Sequence, residues 1–375
     1  MIKISHHKIL YGEQHFHAAF PSIVQFDDGN LLLAFRRARD AMWLVPKETL
    51  DSLDLLNRMD HIDSRSHIML MELDKSGQKT IGNLDMLPID PEAGDQDPSL
   101  LVLPDNNLFL ASFSWYPLPN SAVPYVSARV PADDKFCGGR FVFWGAHTSL
   151  RQRKTNEWIA HHQYLEPDGG FGYKLSPDGA KKIAGSVRGQ PLYYKNNIVL
   201  ALYGGAQGAT ALFITKDEGL NWNFLSIIAE DTEGQVTFQE PALCHDGNGG
   251  LICFMRTAGA DGRLATSRSK DGITWSEPKL HDLVGHPFHP LLLEDGRVLL
   301  SYGYRQSPFG IRARLLKDPL QNPDEVEEII IRDDGLSSDL GYPWGVELEE
   351  GRVLLTYYMA NEQGMRHIVG SWLEI

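Results

Sequence analysis

Cysteine is scarce in this sequence, which contains three in 375 residues: Cys137, Cys244 and Cys253. Their spacing fits no metal-binding motif, and an odd, sparse count excludes the paired framework of a small disulfide-stabilised protein. Cys244 and Cys253 lie in apolar segments, so we expect buried free thiols in a reducing compartment. The first residues also lack the apolar core of a secretory signal peptide. Together these absences predict a cytoplasmic protein.

Long hydrophobic runs and an excess of positive charge are missing too. No stretch of about eighteen apolar residues occurs, so no segment is expected to span a membrane. Lys and Arg number 35 against 49 Asp and Glu, which gives a net charge of −14. Neutralising phosphates needs a basic face, so nonspecific binding to nucleic acid is excluded. We therefore expect neither a membrane nor a nucleic-acid partner.

What the sequence does contain is a repeated hairpin. The clearest copy begins at Glu240-Pro241, turns at 245–250 and returns along an apolar strand that ends in Arg256. This pattern of two apolar strands around a Gly-rich turn is typical of a β-hairpin. Because a hairpin returns to the edge at which it began, Glu240 and Arg256 are expected to lie side by side.

Six copies of this hairpin follow one another along the chain. The proline lies eight positions before the turn glycine in three of them: 21 to 29, 241 to 249 and 343 to 351. One hairpin cannot bury both of its faces, and radial stacking into a propeller solves this problem. Hydrophobic residues make up 42% of the chain and glycines number 35, which suits a turn-rich all-β core. The sequence therefore predicts an all-β fold, a six-bladed β-propeller formed by residues 1–375 as a single domain.

Two stretches interrupt the repeat, around 43–66 and 116–187. In the first, a proline followed by acids and spaced leucines predicts a short helix over 46–56. The second is too long for a loop alone, so it must supply the outer strands of blade two and part of blade three. Residues 1–17 alternate weakly and are expected to add an outer strand to the last blade.

A second repeated element has the form S/T-x-D-x-G-x-x-W with small changes in length. It occurs at Thr215–Trp222 and at Ser269–Trp275, and the segments 74–77 and 148–158 are weaker copies. In such an Asp box the Asp caps a tight turn, the Gly supplies a positive φ and the Trp packs the turn onto the sheet. The Asp of each box is therefore expected to be structural rather than catalytic.

With these features the chain resembles the sialidase superfamily, which consists of six-bladed propellers with Asp-box turns. Glu240, Arg256 and Tyr342 stand at places that match the family's catalytic Glu, an arginine and the catalytic Tyr, and Arg305 best matches a further arginine. The family's opening signature, aromatic-Arg-Ile-Pro, here reads Ala18–Pro21, with Ala19 in place of the arginine. The resemblance implies the fold, a Tyr/Glu catalytic pair and a carboxylate-binding pocket.

The repeat also predicts what lines the central funnel. Five of the six residues that precede the prolines are polar, and three of the return strands end in arginine. A convergent ring of acids, arginines, His and Tyr is typical of a pocket for an acidic small molecule. The six residues that precede the prolines are Phe20, Asp97, Gln190, Glu240, His289 and Tyr342. The return strands end in Arg36, Phe113, Tyr203, Arg256, Arg305 and Tyr358.

Arg36 is expected to replace the missing arginine. It lies sixteen positions after Phe20, as Arg256 lies sixteen after Glu240, so it should project from the same rim. Arg37 should face the opposite way because side chains alternate along a strand. His67, which follows the first insertion, is a further residue predicted to point into the funnel.

The residue types indicate a mechanism. Sialidases use a Tyr nucleophile, and a neutral phenol can approach a carboxylate-bearing sugar that would repel an anion. A phenol with a pKa near 10 needs a base at neutral pH, and Glu240 can take the Tyr342 proton. Arg256 and Arg305 then hold the substrate carboxylate, alongside Asp97, Gln190 and His289 as pocket residues.

The acid/base is less well defined by the sequence. The family places an Asp in the loop after the first hairpin, and Asp40 is the nearest match. Asp97 and Asp63 are alternatives, and Asp40 could equally pair with Arg36 or Arg39.

No metal or other cofactor is predicted. His15 with His17, and His286 with His289, lack partners that would complete a coordination sphere. The preferred function is hydrolysis of a terminal acidic sugar, either sialic acid or a related ulosonic or uronic acid. Two alternatives stay open: a polysaccharide lyase with Tyr342 or His289 as base, and a carbohydrate-binding propeller without activity.

Overall fold

The computed structural model describes residues 2–40, 65–117, 141–165, 173–174, 182–183, 185–204 and 208–375. Blade one contains β2 (Phe16–Gln25), β3 (Leu31–Arg39), β4 (His67–Leu73) and β5 (Asp85–Met86), after β1 (Lys3–Tyr11) at the start of the chain. Blade two contains β6 (Gly94–Asp95), β7 (Ser99–Val102), β8 (Leu108–Pro117), β9 (Phe141–Arg151) and β10 (Trp158–Tyr164). A separate pair follows, β11 (Tyr173–Lys174) and β12 (Lys182–Ile183).

The remaining blades follow in chain order. Blade three contains β13 (Ser186–Val187), β14 (Leu192–Tyr194), β15 (Asn197–Tyr203), β16 (Thr210–Thr215) and β17 (Asn223–Ala229). Blade four contains β18 (Thr237–His245), β19 (Leu251–Ala258), β20 (Arg263–Ser269) and β21 (Lys279–Val284). Blade five contains β22 (Phe288–Leu292), β23 (Val298–Tyr304), β24 (Gly310–Leu316) and β25 (Ile329–Arg332), with a short 3-10 helix at Pro323–Glu325. Blade six contains β26 (Gly341–Glu349), β27 (Arg352–Ala360) and β28 (Arg366–Glu374).

The fold is a six-bladed propeller of antiparallel sheets, as predicted. The first strand of the chain closes the ring, because β1 pairs with β28 to give the order β1-β28-β27-β26 in blade six. This confirms the expected outer strand from residues 1–17. β9 and β10 are the outer strands of blade two and come from the second interruption of the repeat. The predicted helix over 46–56 lies outside the described residues.

Apolar side chains pack between neighbouring blades. One cluster joins blade one to blade six through Phe35 and Trp344, and another joins blade two to blade three through Phe109 and Phe213. Cys244 and Cys253 are free thiols buried in such clusters, as predicted, while Cys137 lies outside the described residues. Within the described residues, no helix has the length and apolar character needed to cross a membrane.

The Asp boxes are structural turns. Asp271 Oδ1 accepts the N–H groups of Ile273 and Thr274 at 2.8 Å each, and Asp217 Oδ1 accepts that of Asn221 at 2.9 Å. The tryptophan of each box donates to the blade before it. Trp222 Nε1 lies 3.3 Å from Thr148 Oγ1 in blade two, and Trp275 Nε1 lies 3.0 Å from Ser226 Oγ in blade three. The boxes therefore fasten adjacent blades together, and their Asp side chains cap turns as expected.

Three first strands share a bulge that the sequence did not reveal. The ladder slips by one residue between Ala19 and Ser22 in β2, and slips in the same way in β18 and β26. At each slip the residue before the proline has a positive φ: 56° for Phe20, 50° for Glu240 and 53° for Tyr342. Such a conformation costs a non-glycine residue about 1 to 3 kcal/mol and is typical of functional sites. A bulge also re-aims a side chain.

Blade five does not repeat this bulge. His289 pairs with Ser301 in an unbroken ladder, so the sequence equivalence between His289 and Glu240 is corrected. The equivalence fails because the proline alone does not create the bulge. Both the slipped ladder and the positive φ are needed to turn the side chain out of the sheet.

Candidate active site

Two of the bulge residues meet by a hydrogen bond. The Tyr342 hydroxyl in blade six donates to Glu240 Oε1 in blade four. Tyr342 is 8% exposed and Glu240 is 4% exposed, so the bond lies in a nearly dry environment. The third bulge residue, Phe20, places its ring 4.6 Å from that of Tyr342 in an edge-on arrangement. The three bulges therefore bring blades one, four and six together at a single point.

Two of the predicted arginines join this pair. Arg256 Nη1 donates to Glu240 Oε2 at 3.1 Å, which confirms that the ends of this hairpin lie side by side. The guanidinium carbon of Arg305 lies 5.5 Å from the centre of the Tyr342 ring. Two hydrogen bonds fix the position of Arg305: its Nε donates to Leu340 O at 3.1 Å, and its Nη2 donates to the Tyr358 hydroxyl at 3.2 Å. The Arg256 side chain is 24% exposed, so it can also reach a ligand.

These charges fix the protonation of the pair. Burial acts to raise the pKa of Glu240, but the charges of Arg256 and Arg305 and the Tyr342 hydroxyl outweigh it and hold the pKa below its ordinary value. Burial, together with the charges of Glu240 and Asp97, raises the pKa of Tyr342 well above its ordinary value. At neutral pH the site therefore holds a neutral phenol that donates to a carboxylate, which is the arrangement a phenol nucleophile needs for activation.

Arg305 belongs to a longer chain of polar contacts. The Tyr358 hydroxyl donates to Asp339 Oδ1 at 2.7 Å, and Arg366 Nε donates to Asp339 Oδ2 at 2.8 Å. Burial, and then the charge of Asp339, raises the pKa of Tyr358 well above its ordinary value. This chain fixes the orientation of Arg305.

Arg188 is a residue of the site that the repeat did not single out. It follows β13, is 3% exposed and donates from Nη2 to Tyr342 O at 2.9 Å, and from Nη1 and Nη2 to Pro21 O at 3.3 Å. Its guanidinium carbon lies 5.0 Å from the centre of the Tyr342 ring. Arg188 therefore ties the backbone of two bulges together and places a cation beside the Tyr342 ring. No local sequence pattern marks Arg188 for this role, because it lies outside the strand-end positions of the repeat.

Asp97 is brought close to the centre, as predicted. It is 4% exposed, and its charge acts on Arg188, Tyr203 and Tyr342. Burial, followed by the charges of Glu240 and Asp97, raises the pKa of Tyr203 well above its ordinary value. Tyr203 ends β15 and therefore also belongs to the central set.

His286 is a second residue that was not predicted to bind substrate. Burial and the charges of Arg256 and Arg305 lower its pKa to about 4, so it is neutral at neutral pH. Its backbone N–H donates to Gly303 O at 2.9 Å, which places it at the rim end of blade five. The charges of Arg256, Arg305 and Glu240 all act on His286, so in blade five His286 rather than His289 lies near the pair.

Gln190 and His289 are not brought to the pair. Gln190 Nε2 donates to Leu243 O at 3.4 Å, which uses its amide to link blades three and four. His289 is 3% exposed, and its ring stacks on Trp344 with 4.9 Å between centroids. Burial and the charge of Arg188 lower the pKa of His289 to about 3. Both residues pack between blades, which corrects their expected role in binding substrate.

Arg36 and Arg37 face opposite sides of β3, as strand alternation predicts. Arg36 is fully buried, and its guanidinium carbon lies 6.0 Å from the centre of the Phe20 ring. Arg37 instead donates to the Tyr11 hydroxyl and to Glu13 Oε2, both at 3.2 Å. Arg36 thus lies beside the third bulge residue, while Arg37 contacts the end of β1 in blade six and the residue that follows it closely, Glu13.

His67 belongs with Arg37 rather than with the funnel. Its Nε2 accepts from Arg37 Nε at 3.1 Å, because the two residues are opposite each other on β4 and β3. This corrects the expectation that His67 points inward. The pairing register of β3 and β4 decides which way His67 points. The sequence does not define that register at the edge of the insertion.

Asp40 lies just beyond β3 and is 7% exposed. Its N–H donates to His15 O at 2.8 Å, and its Oδ1 lies 3.8 Å from His17 Nε2. Asp63, an alternative acid, lies outside the described residues. Asp97 is the alternative whose charge reaches Tyr342.

Known proteins resemble this chain in sequence family and in fold. The model of the family described as BNR repeat-like domain matches residues 151–355. A solved structure of a protein of unknown function from Dyadobacter fermentans is 31% identical, covers 100% of this chain and 99% of that one, and has a TM-score of 0.87. No curated protein matches the sequence.

Two sialidases share the fold at low identity. The NanB sialidase from Streptococcus pneumoniae is 15% identical over 98% of this chain and 70% of that one, with a TM-score of 0.65. A Trypanosoma rangeli sialidase, in a complex described as a covalent intermediate with difluorosialic acid, is 12% identical over 96% of this chain and 54% of that one, with a TM-score of 0.55. At these identities the likeness shows the fold alone.

Proposed function

Because the chain belongs to the BNR repeat-like domain family and shares its fold with sialidases, we propose that it is a retaining exo-glycosidase that hydrolyses a terminal acidic sugar. The observation that carries this proposal is the hydrogen bond from the Tyr342 hydroxyl to Glu240 at the meeting point of three strained bulges. This bond pairs a nearly buried phenol with a carboxylate. It is the arrangement by which a phenol can attack a sugar.

In the first step, Tyr342 Oη forms a bond to the anomeric carbon while its proton passes to Glu240 Oε1. The bond from the anomeric carbon to the leaving oxygen breaks, and that oxygen takes a proton from a general acid. In the second step, water attacks the same carbon and gives its proton to the general acid, which the first step left ionised. The bond from that carbon to Tyr342 Oη breaks, and the Tyr342 oxygen recovers its proton from Glu240. Two displacements at one carbon give net retention of configuration.

The charges of the site favour an acidic sugar. Arg256 and Arg305 place two cations beside the Tyr342 hydroxyl, where a carboxylate on the anomeric carbon or its neighbour would accept their N–H groups. Since Arg256 already donates to Glu240, a ligand carboxylate would share this arginine with the base. The neutral phenol avoids the repulsion that an anionic nucleophile would meet.

The missing family arginine affects which acidic sugar fits. Ala19 is 1% exposed and carries no charge, and the neighbouring Phe20 turns an aromatic ring toward Tyr342. The substrate carboxylate is therefore held by Arg256 and Arg305, with Arg36, which lies beside the Phe20 ring, proposed as the third cation. Sialic acid, another ulosonic acid and a uronic acid all remain within this proposal.

Asp40 is proposed as the general acid, with Asp97 as the alternative. The two assignments differ in a measurable way. Loss of the acid hardly slows release of an acidic phenol, which leaves without a proton, but strongly slows release of an alcohol. We therefore compare Asp40→Asn and Asp97→Asn on a nitrophenyl glycoside and on a methyl glycoside of the same sugar. The variant that loses only methyl glycoside hydrolysis identifies the acid.

The proposed function is tested with nitrophenyl glycosides of sialic, ulosonic and uronic acids, with a neutral nitrophenyl galactoside as control. We expect nitrophenol release from at least one acidic glycoside and none from the neutral one. Formation of an unsaturated uronate from an oligouronate would instead support a lyase. Binding of an acidic sugar without any turnover would support a binding propeller, and both outcomes would overturn the hydrolase proposal.

A further inference from the structure

Blade two buries a group of ionisable side chains that the proposed reaction does not use. Asp95 on β6, His147 on β9 and His162 on β10 converge on the blade face opposite the one that packs on blade three. They come from three strands, and His162 reaches the group through a slipped register between Ala160 and Gln163. No local motif marks this cluster, because His162 lies 15 positions after His147 and Asp95 lies 52 positions before His147.

The three side chains present one ligand atom each at close range. His162 Nε2 lies 3.1 Å from both Asp95 Oδ1 and Oδ2, and His147 Nε2 lies 3.2 Å from Asp95 Oδ1. The two imidazole rings are 4.5 Å apart between centroids. Ligand atoms that each lie about 2.0 to 2.2 Å from a tetrahedral zinc ion are about 3.3 to 3.6 Å from one another. The two distances from an imidazole nitrogen to Asp95 Oδ1, 3.1 and 3.2 Å, lie just below that range, and all three ligand atoms lie within 4.8 Å of one another.

His147 supplies an independent indication of a ligand. The side chain is 0% exposed, and neither Nδ1 nor Nε2 has a hydrogen-bond partner among the described residues. Its Nε2 approaches Asp95 without the alignment of a hydrogen bond. A buried imidazole whose Nδ1 has no partner among the described residues, and whose Nε2 has only a poorly aligned contact with Asp95, is costly. A metal ion at Nε2 would give that nitrogen a well-directed partner.

The surrounding side chains hold the carboxylate in place. Ser114 Oγ donates to Asp95 Oδ1 at 3.0 Å, and the Tyr164 hydroxyl donates to Asp90 Oδ2 at 2.6 Å while lying 3.3 Å from Ser114 Oγ. Ser66 Oγ donates to Asp95 O at 2.8 Å, which fixes the backbone as well. Metal ligands are commonly oriented by an outer layer of this kind.

We propose that Asp95, His147 and His162 form a binding site for one Zn²⁺ ion. Two imidazole nitrogens and one carboxylate oxygen are the donors that zinc accepts, whereas Ca²⁺ and Mg²⁺ prefer oxygen ligands alone. The site goes beyond the proposed glycosidase function and takes no part in its chemistry. The ion would cross-link β6, β9 and β10. Its ligand Asp95 lies two positions before Asp97, in the region where the first strand of the blade is divided into β6 and β7.

The experiment uses the full chain after dialysis against a chelator. Zn²⁺ binding is measured by competition with a chromophoric chelator, and bound metal is counted by elemental analysis. We expect one equivalent of Zn²⁺ per chain, a rise in melting temperature on adding Zn²⁺, and no displacement by excess Mg²⁺ or Ca²⁺. His162→Gln, at the partly exposed edge of the cluster, should weaken Zn²⁺ binding at least about a hundredfold.

His161→Gln is the matched control, because His161 is the exposed neighbour whose ring lies 5.6 Å from that of His162. It should bind Zn²⁺ like the parent, and Asp95→Asn should behave like His162→Gln. Circular dichroism of the metal-free variants separates loss of the site from loss of the fold. Equal Zn²⁺ affinity in the parent and His162→Gln, or less than one tight equivalent in the parent, would overturn the proposal.

Discussion

The Tyr342 hydroxyl donates to the Glu240 carboxylate across 102 residues of sequence, joining blade six to blade four. Both residues hold positive φ angles at matched bulges, and Arg188 fastens the backbone carbonyl of Tyr342. The contact therefore depends on the strained backbone of Glu240 in blade four and of Tyr342 in blade six, and on the Arg188 cation that holds Tyr342. We regard this hydrogen bond as the feature around which the site is organised.

Tyr342→Phe should lower kcat by at least about a thousandfold while leaving the Kd for an acidic sugar within a few-fold of the parent. The substitution deletes the nucleophilic oxygen and little volume. Tyr357→Phe is the control, because Tyr357 is adjacent to Tyr358 on β27 but its hydroxyl lies 2.7 Å from Ser371 Oγ, away from the site. Turnover by Tyr342→Phe within a few-fold of the parent would rule out the glycosyl-tyrosine route.

The pH dependence of kcat/KM should report Glu240. The base acts in its ionised form, and its pKa lies below the ordinary value of 4.5, so activity should persist as pH falls to about 4.5 and decline only below it. Because the pKa of Tyr342 is raised well above 10, no gain from phenolate formation is expected up to pH 10. Arg256→Gln removes the strongest effect that lowers the Glu240 pKa and should move the acid limb to higher pH. An acid limb at the same pH in both proteins would contradict this account.

Arg256→Ala should weaken binding of an acidic sugar by well over tenfold, because loss of a buried charge-assisted contact costs about 2 to 5 kcal/mol. Isothermal titration with the free sugar acid measures the effect. Arg37→Ala is the control, since Arg37 lies on the opposite face of β3 from Arg36 and contacts Tyr11 and Glu13. Similar losses in the two variants would show that Arg256 acts only through net charge.

Arg36→Ala tests whether this buried cation is the third contact to the carboxylate. We expect the Kd for the acidic sugar to rise more than tenfold, as in Arg256→Ala. Arg36→Met retains the buried stem and so separates loss of charge from loss of packing, with the melting temperature measured for both. Unchanged binding in Arg36→Met would make Arg36 a structural residue beside Phe20.

Much of the fold follows from the sequence because each blade repeats a local pattern. The hairpin turns and Asp boxes are defined by Gly, Asp and Trp at fixed spacing, and the structure places Glu240 beside Arg256 for that reason. Tyr342 and Arg305 were predicted from the same repeat, as a residue before a proline and as the end of a return strand. Strand alternation also predicted that Arg36 and Arg37 face opposite sides.

The rest depends on geometry that no local pattern encodes. A proline marks each copy, but the one-residue slip with a positive φ occurs at Glu240 and not at His289, so His286 rather than His289 lies near the two arginines. Arg188 reaches Tyr342 across the axis through a contact between distant segments. His162 needs a register shift to approach Asp95. The positions of His286, Arg188 and His162 depend on strand register, which is decided by packing between blades.

The central claim is that Tyr342 attacks the sugar. The most direct measurement is the intact mass of the protein, followed by peptide mapping, after reaction with a fluorinated acidic glycosyl fluoride that slows breakdown of a covalent intermediate. The account predicts one added sugar per chain, located on Tyr342, and no addition in Tyr342→Phe. An enzyme that hydrolyses the parent substrate yet accumulates no adduct, or carries it on another residue, would contradict it.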